Sequence, residues 1–445
     1  MGLEVPAGTF PLVALLEAIK IFSFTTLGEI LMKKSLLALA VLGAFAAGAQ
    51  AQTSNVTIGG FFHVQPKAYK VSNVNAGARP AGQAMKTELR MDDDAGSRLW
   101  ITGKEDLGQG LFAQFYMESR FGGDTGSGST TFGFANGDTF VGLGSTSLGT
   151  LDFGRMSISN YTQGILIELD RTGSGNNFAT TTFLSDVGGF GVNKSRLNNF
   201  IRYKSPNFSG FTVQGAISPS GAFGANAEGT APTTGTANNE YNDGKAVQLG
   251  LSYANGPLYL NAAYFDVEVE GVTTPQTNWF NADNTSLRIS GSYALPFGLK
   301  VGFSVDRTEI DNLAAGAAMG NFTNAAFSAV TGGGTVSSAG KVRRTAWAIP
   351  VTYTMGANNF YAKYGQAGNL SNWTQRDTGA KYYSLAWDYA LSKRTAVGVS
   401  YTVIDNERNG TYQPFASGQT STHNGSSLFA GEKASVAALN LKHSF

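Results

Sequence analysis

The sequence predicts an all-β chain: one 16-stranded antiparallel transmembrane β-barrel with short periplasmic turns and long extracellular loops. Three observations predict it. Short stretches alternate apolar and polar residues with a period of two. The connections between them are alternately short and long. After Gln52 no stretch carries the 3.6-residue period of a long amphipathic helix.

The amino terminus is set apart from this pattern. Residues 32–51 read MKKSLLALAVLGAFAAGAQA. Lys33 and Lys34 form a positive start, Leu36 to Ala47 an uncharged apolar run, and Ala49-Gln50-Ala51 a small-residue cleavage site. A spanning helix needs about 20 apolar residues, which this run does not supply. The stretch therefore reads as a signal peptide, with the mature chain beginning at Gln52. Residues 1–31 carry Glu4, Glu17, Lys20 and Glu29 without a pattern and read as an upstream segment before a start at Met32. The barrel is expected over 52–445.

Composition narrows the function. Glycine is 57 of 445 residues, against a usual share of about 7%. Charged residues are 14%, well under the usual share of about 25%. With no cysteine, a disulfide scaffold and a thiolate zinc site are excluded. A net charge of +1 lacks the basic excess of a nucleic-acid binder. Aromatics at 12% speak against a disordered chain.

Along the chain, Leu99, Ile101 and Gly103 alternate with Arg98, Trp100, Thr102 and Lys104. Ala113, Phe115 and Met117 alternate with Gln114, Tyr116 and Glu118, and Ala437, Leu439 and Leu441 with Ala438, Asn440 and Lys442. Seven short connections fall at Leu107–Gly110, Ser147–Gly149, Pro206–Gly210, Asn255–Pro257, Leu295–Gly298, Gly356–Asn359 and Ser392–Arg394. Eight long polar ones fall at about 72–95, 122–136, 157–195, 220–244, 268–284, 310–340, 368–378 and 406–432. Fifteen connections join sixteen strands. An even strand count with short turns at one end and long loops at the other is the layout of an outer-membrane barrel. Lipid offers a backbone no hydrogen bonds, so a spanning sheet must close on itself. Sixteen strands leave a lumen too wide for side chains to fill.

Aromatics gather beside the short turns: Phe208 and Phe211, Tyr253 and Tyr259, Tyr293 and Phe297, Tyr353 and Phe360, Trp387 and Tyr389. Such rings form the girdle where lipid meets water. Phe445 ends the chain on the same face as Leu439, Leu441 and His443. A terminal Phe on an alternating strand is similar to the signal read by the barrel-assembly machinery.

Several motifs resemble the general bacterial porins of the beta-proteobacterial type. They are Asn55-Val-Thr-Ile-Gly-Gly60, Gly96-Ser-Arg-Leu-Trp-Ile-Thr-Gly-Lys-Glu-Asp-Leu-Gly-Gln-Gly-Leu111, Phe140-Val-Gly-Leu-Gly144, Gly149-Thr-Leu-Asp-Phe-Gly-Arg155, Tyr203-Lys-Ser-Pro-Asn-Phe-Ser-Gly-Phe211 and His443-Ser-Phe445. The resemblance implies a homotrimer in the outer membrane, in contact with lipid and lipopolysaccharide. It implies a third loop, here 157–195, that narrows the lumen. Arginines on the wall would face acids on that loop. By motif position Arg98 and Arg155 match the wall, with Arg196 beside them. Arg120 and Arg202 share lumen parity on their strands. The loop's acids are Glu168, Asp170 and Asp186, although the stretch Gln163-Gly-Ile-Leu-Ile-Glu168 departs from the family pattern.

The implied function is passive diffusion of ions and small hydrophilic solutes, with weak anion preference. Other classes fit the same fold: a substrate-specific uptake channel, or a non-conducting adhesive barrel. An enzyme is not expected. His63, His423 and His443 are scattered, and neither G-x-S-x-G nor H-E-x-x-H occurs. Gly332-Gly333-Gly334 lies in a loop, without the strand–helix setting of a phosphate site. No cofactor, metal or nucleic acid is expected.

Overall fold

The computed structural model describes residues 54–72, 88–92, 97–123, 135–157, 196–218, 245–269, 282–316, 334–412 and 429–445. Contacts divide the chain into two units: residues 1–52 with 107–109, and residues 53–106 with 110–445. The first is described only at 107–109, the end of a strand and its turn. The second holds the sheet.

The strands are β1 Ser54–Ser72, β2 Glu88–Asp92, β3 Arg98–Gly108, β4 Leu111–Arg120, β5 Thr139–Ser145, β6 Gly149–Ser157, β7 Arg196–Lys204, β8 Phe211–Ser218, β9 Lys245–Asn255, β10 Leu258–Val269, β11 Ala282–Ala294, β12 Leu299–Leu313, β13 Gly340–Met355, β14 Asn358–Ala367, β15 Ala380–Ala390, β16 Thr395–Asn406 and β17 Lys433–Ser444. From β4 to β17 each pairs antiparallel with the next. Both β2 and β3 pair with β1, from Tyr69↔Glu88 to Gln65↔Asp92 and from Phe61↔Arg98 to Ser54↔Glu105. They are two segments of one barrel strand, so seventeen segments make sixteen strands. β1 closes the ring on β17, from Phe61↔Ser444 to Ser72↔Lys433. All seven expected short turns join consecutive strands, and long connections alternate with them, although β2 occupies 88–92 of the stretch expected as the 72–95 connection, because those residues pair with β1.

The faces are inverted relative to a water-soluble protein. On β12, Val301, Phe303 and Val305 are exposed while Ser304, Asp306 and Thr308 are buried. On β11, Leu287 and Ile289 are exposed while Ser286, Arg288 and Ser290 are buried. Water would penalise an apolar exterior of this extent. Lipid removes the penalty and excludes charge from that face, which sends the polar residues inward. The alternation read from the sequence is therefore the alternation of lipid face and lumen face. Aromatics stand on the outside beside the short turns: Phe211 lies 4.5 Å from Tyr253, Tyr353 lies 6.3 Å from Phe360, and Trp387 lies 6.4 Å from Tyr389. Tyr259 corrects the expected girdle. It registers with buried Ser292 on the lumen face, because alternation from exposed Leu260 turns it inward.

The chain end is bound into the closure. The Phe445 N–H donates to the Gly60 carbonyl at 3.1 Å. Its ring lies 6.4 Å from Phe62 on the outer face. Gly60 must be glycine for this seat. A Cβ there would meet the Phe445 ring and stand 2.6 Å from the Arg98 carbonyl oxygen. We expect Gly60→Val to destabilise the folded barrel by about 1–3 kcal/mol, the usual cost of overpacking. Urea titration of protein refolded in lipid vesicles measures this, and an unchanged midpoint would contradict the role given to Gly60.

Candidate functional site: the charged lumen wall

The wall is assembled by parity. On β3 and β4 the even-numbered residues face the lumen, which brings Arg98, Glu118 and Arg120 together. Glu118 is 5% exposed and is the shared anion. It accepts from the Arg120 Nε at 2.5 Å and from the Tyr116 hydroxyl at 3.1 Å. The Arg98 Nη1 stands 3.5 Å from its other oxygen environment, Oε2, as an ion pair. Two guanidiniums on one carboxylate leave one positive charge over, and guanidinium does not lose its proton. Both arginines keep about a fifth of their side-chain surface open, 21% and 20%. They can therefore meet a passing ion.

Further contacts hold this cluster in place. The Glu118 N–H donates to the Asp138 carbonyl at 2.9 Å, and Gly137 N–H donates to the Glu118 carbonyl at 2.8 Å. Asn136 accepts from the Arg120 N–H at 2.7 Å and donates back to its carbonyl at 3.0 Å. Arg98 also lies 5.0 Å from the Phe61 ring centroid, and the Lys442 Nζ lies 4.3 Å from the same ring. This places a second cation on the ring that Arg98 also approaches.

Arg155 stands at an irregularity. It is in register with Thr139, next to Asp138. Strict alternation from lumen-facing Asp152 would turn it outward beside Phe153. The pairing of β6 with β7 shifts between Gly154 and Met156, which breaks that alternation. Gly154 has φ 149°, and a Cβ on it would stand 2.2 Å from the Thr139 carbonyl oxygen. Arg155 is half-buried and within electrostatic reach of Asp138. Through Asp138 it shares a level with Glu118, two residues before β6 ends and the 158–195 connection begins.

Arg202 belongs to a separate level, nearer the short turns. Its Nη2 and Nε donate to Asp152 Oδ2 at 2.8 and 3.2 Å. Gln114 Nε2 donates to the other Asp152 oxygen at 2.7 Å. The guanidinium lies 4.9 Å from the Phe140 ring centroid. This pair is neutral overall and braces three strands. Arg196 begins β7 in register with Ser157. Glu168, Asp170 and Asp186 lie outside the described residues.

The interior carries charges that motif reading passed over. Lys67 on β1 and Lys363 on β14 are buried on the lumen face. Arg288 on β11 is fully buried, with its Nε donating to Asp306 Oδ2 at 3.1 Å. Their parity was available in the sequence: Arg288 alternates with Leu287 and Ile289. Among the described residues no cluster of three metal-ligating side chains is found.

Comparison with known proteins follows the same line. The Gram-negative porin family profile matches residues 38–409. An outer membrane porin protein of Bordetella pertussis is 32% identical over 239 residues, covering 52% of this chain and 59% of that protein. Outer membrane porin protein 32 of Delftia acidovorans is 29% identical over 418 residues, covering 93% of this chain and all of that one. Among solved structures, an anion-selective porin from Comamonas acidovorans superposes with a TM-score of 0.62 at 18% identity, over 88% of this chain and 100% of that chain. An outer membrane protein of Vibrio cholerae, solved in a trimer form, gives 0.53 at 12% identity over the same shares. These two likenesses concern the fold.

Removing one partner of a buried ion pair leaves the other uncompensated. Asp152→Ala is expected to destabilise the barrel by about 2–3 kcal/mol, below the ~3–5 kcal/mol of a fully enclosed pair because Arg202 keeps some access to water. The urea midpoint in vesicles reads this, and a loss no larger than that of Asp311→Ala, which breaks the exposed ion pair of Asp311 on β12 with Lys341 on β13 at 3.1 Å, would contradict it.

Proposed function

The chain belongs to the Gram-negative porin family, and from that membership we propose that it conducts ions and small hydrophilic solutes passively across the outer membrane, with a weak preference for anions. The observation that carries the preference is the Arg98–Glu118–Arg120 cluster, two cations on one carboxylate. Lys442 beside Phe61 adds to the same wall. The field of such a wall raises the local concentration of anions and lowers that of cations. It acts over about 10 Å in 0.1 M salt and about 3 Å in 1 M salt, so the preference is stronger in dilute salt. Because Arg120 is held by a hydrogen bond and Arg98 by an ion pair to the same carboxylate, the charge stays fixed as ions pass. Conduction also needs weak binding, and sharing Glu118 tempers each arginine.

The remaining proposals extend this reading. Arg155 and Arg196 complete the wall, and Glu168, Asp170 and Asp186 on the third loop supply the opposing negative side. Residues 32–51 direct export and are removed, which makes Gln52 the first mature residue. Three chains associate, each with its own pore. The trimer solved for the Vibrio cholerae neighbour supports this association.

Planar-bilayer recording across a salt gradient tests the function. The expected zero-current potential has the sign of anion preference and grows as both salt concentrations fall. Arg98→Gln with Arg120→Gln is expected to reduce it, and Glu118→Gln to increase it. Clear cation preference in the parent protein would overturn the proposal. Saturable block of the conductance by one solute class would favour a substrate-specific channel.

A further inference from the structure

The lipid face of the barrel is not uniform. A groove of about 590 Å³ crosses the outer surface of β13, β14, β15 and β16, and its lining is almost wholly apolar. Two cross-strand rows build it. Tyr353, Phe360 and Trp387 stand side by side in one row, and Ala362, Leu385 and Tyr401 in the next. Tyr353, Phe360, Leu385 and Tyr401 are exposed, so the groove opens outward. Its depth comes from Ala362. Strand parity puts this single methyl on the outer face between the rings of Phe360 and Tyr364, with Leu385 alongside. The Trp387 ring is fixed, since its Nε1 donates to Asn358 Oδ1 at 3.0 Å.

The groove has a charged end. The short turn between β15 and β16 carries Lys393 and Arg394, both exposed. The turn between β13 and β14, Met355 to Asn358, carries no charge. Asp388 on β15 is buried on the lumen face. The Ser444 N–H donates to the Arg394 carbonyl at 2.8 Å, which brings the carboxyl group of Phe445 alongside. Two cations against that one carboxylate leave this end of the groove positive.

The dimensions suit a lipid chain. Tyr401 lies six residues beyond Thr395, where β16 begins, a path of about 20 Å along a strand. A strand tilted by about 45° covers about 14 Å of membrane depth over that path. One leaflet contributes roughly 15 Å to a hydrocarbon core of about 30 Å. Short turns face the periplasm, so the leaflet concerned is the periplasmic one.

We propose that this groove binds one anionic phospholipid of the periplasmic leaflet, with an acyl chain laid along it and the phosphate held by Lys393 and Arg394. Charge complementarity selects the occupant: a linear apolar body ending in an anion matches an apolar groove ending in two cations. A second barrel is convex along its length and does not fill a groove. The proposal rests on the outer-membrane location and not on conduction, so failure of either reading leaves the other standing.

Native mass spectrometry of the full chain in a non-ionic detergent, titrated with dioleoyl phosphatidylglycerol, is expected to show saturation at one lipid per chain. Dioleoyl phosphatidylcholine has the same chains and no net charge. It is expected to bind at least about fivefold more weakly, the usual effect of one basic residue at an anionic lipid surface. Lys393→Gln with Arg394→Gln is expected to abolish that difference and leave phosphatidylcholine binding unchanged. Ala362→Trp fills the groove from the lipid side. A loss of at least about tenfold for both lipids is expected, since displacing about two methylenes accounts for it. Unheated gel mobility checks that each variant is folded and reads its oligomeric state. Equal binding of the two lipids by the parent protein would overturn the proposal, as would an unchanged preference in the Lys393→Gln, Arg394→Gln variant. Binding that rises past one lipid per chain without saturating would show an annular contact only and would also overturn it. Unchanged lipid affinity in folded Ala362→Trp would do the same, and dissociation of the oligomer in that variant would then assign the groove to contact between copies of the chain.

Discussion

Everything in this molecule depends on backbone hydrogen bonding in a medium that offers none. In lipid, an unpaired N–H or C=O costs several kcal/mol, so a spanning sheet cannot have an edge. The pairing of β1 with β17 removes the edge here. The Phe445 N–H on the Gly60 carbonyl carries the pairing to the last residue. That closure dictates the rest. A closed antiparallel ring needs an even number of strands, and its connections fall alternately at the two ends. Each strand then has one face to lipid and one to the lumen, so alternation becomes the chain's chemical grammar. The low charge content and the absence of cysteine follow from the same source. Half of every strand must be apolar, and a ring closed by hydrogen bonds does not depend on a covalent staple.

The same constraint determines how charge is arranged inside. Charges turned away from lipid collect on one surface, where they must be compensated without cancelling entirely. Two solutions are visible. Arg202 with Asp152, and Arg288 with Asp306, are one-to-one pairs that brace neighbouring strands and leave no net charge. Arg98 and Arg120 on Glu118 form a two-to-one cluster that leaves a positive charge facing the lumen. The one-to-one pairs serve the wall. The two-to-one cluster is the one we propose to act on passing ions.

The strand count, the turns and the face alternation were legible in the sequence because each is a direct imprint of period-two packing between turn residues. The match extends to all seven short turns. Legibility failed where local geometry departs from that period. The shift at Gly154–Met156 cannot be read from residue types, so the side of the wall taken by Arg155 was open to geometry alone. β2, Glu88–Asp92, lies inside the stretch read as the 72–95 connection, and it extends the β3 strand along the same partner. Tyr259 was grouped with the girdle for its proximity to a turn, although counting from Leu260 already turns it inward. Arg288, Lys67 and Lys363 were missed for a different reason. Their parity was plain, but the motifs that guided the choice of arginines run through β3 to β7. The acids at 168, 170 and 186 were legible as residues and carry no geometry here.

Arg288 and Arg344 make the last point. Both are arginines on the lumen face, buried to within 2% exposure, and their strands flank β12 on either side. Nothing in composition, alternation or burial separates them. What separates them is Asp306. It is a single carboxylate between two strands, and it is engaged by Arg288, Ser286 and Thr308 together. A carboxylate accepts only about four hydrogen bonds, in directions fixed by its plane. Committing Asp306 to β11 leaves the arginine on β13 without a charge partner of its own. The neutral pair and the buried guanidinium without a counter-charge among the described residues are thus two outcomes of one unequal allocation. In a barrel whose lipid face admits no charge, that allocation, rather than the number of charged residues, determines which buried side chains are braced by a counter-charge.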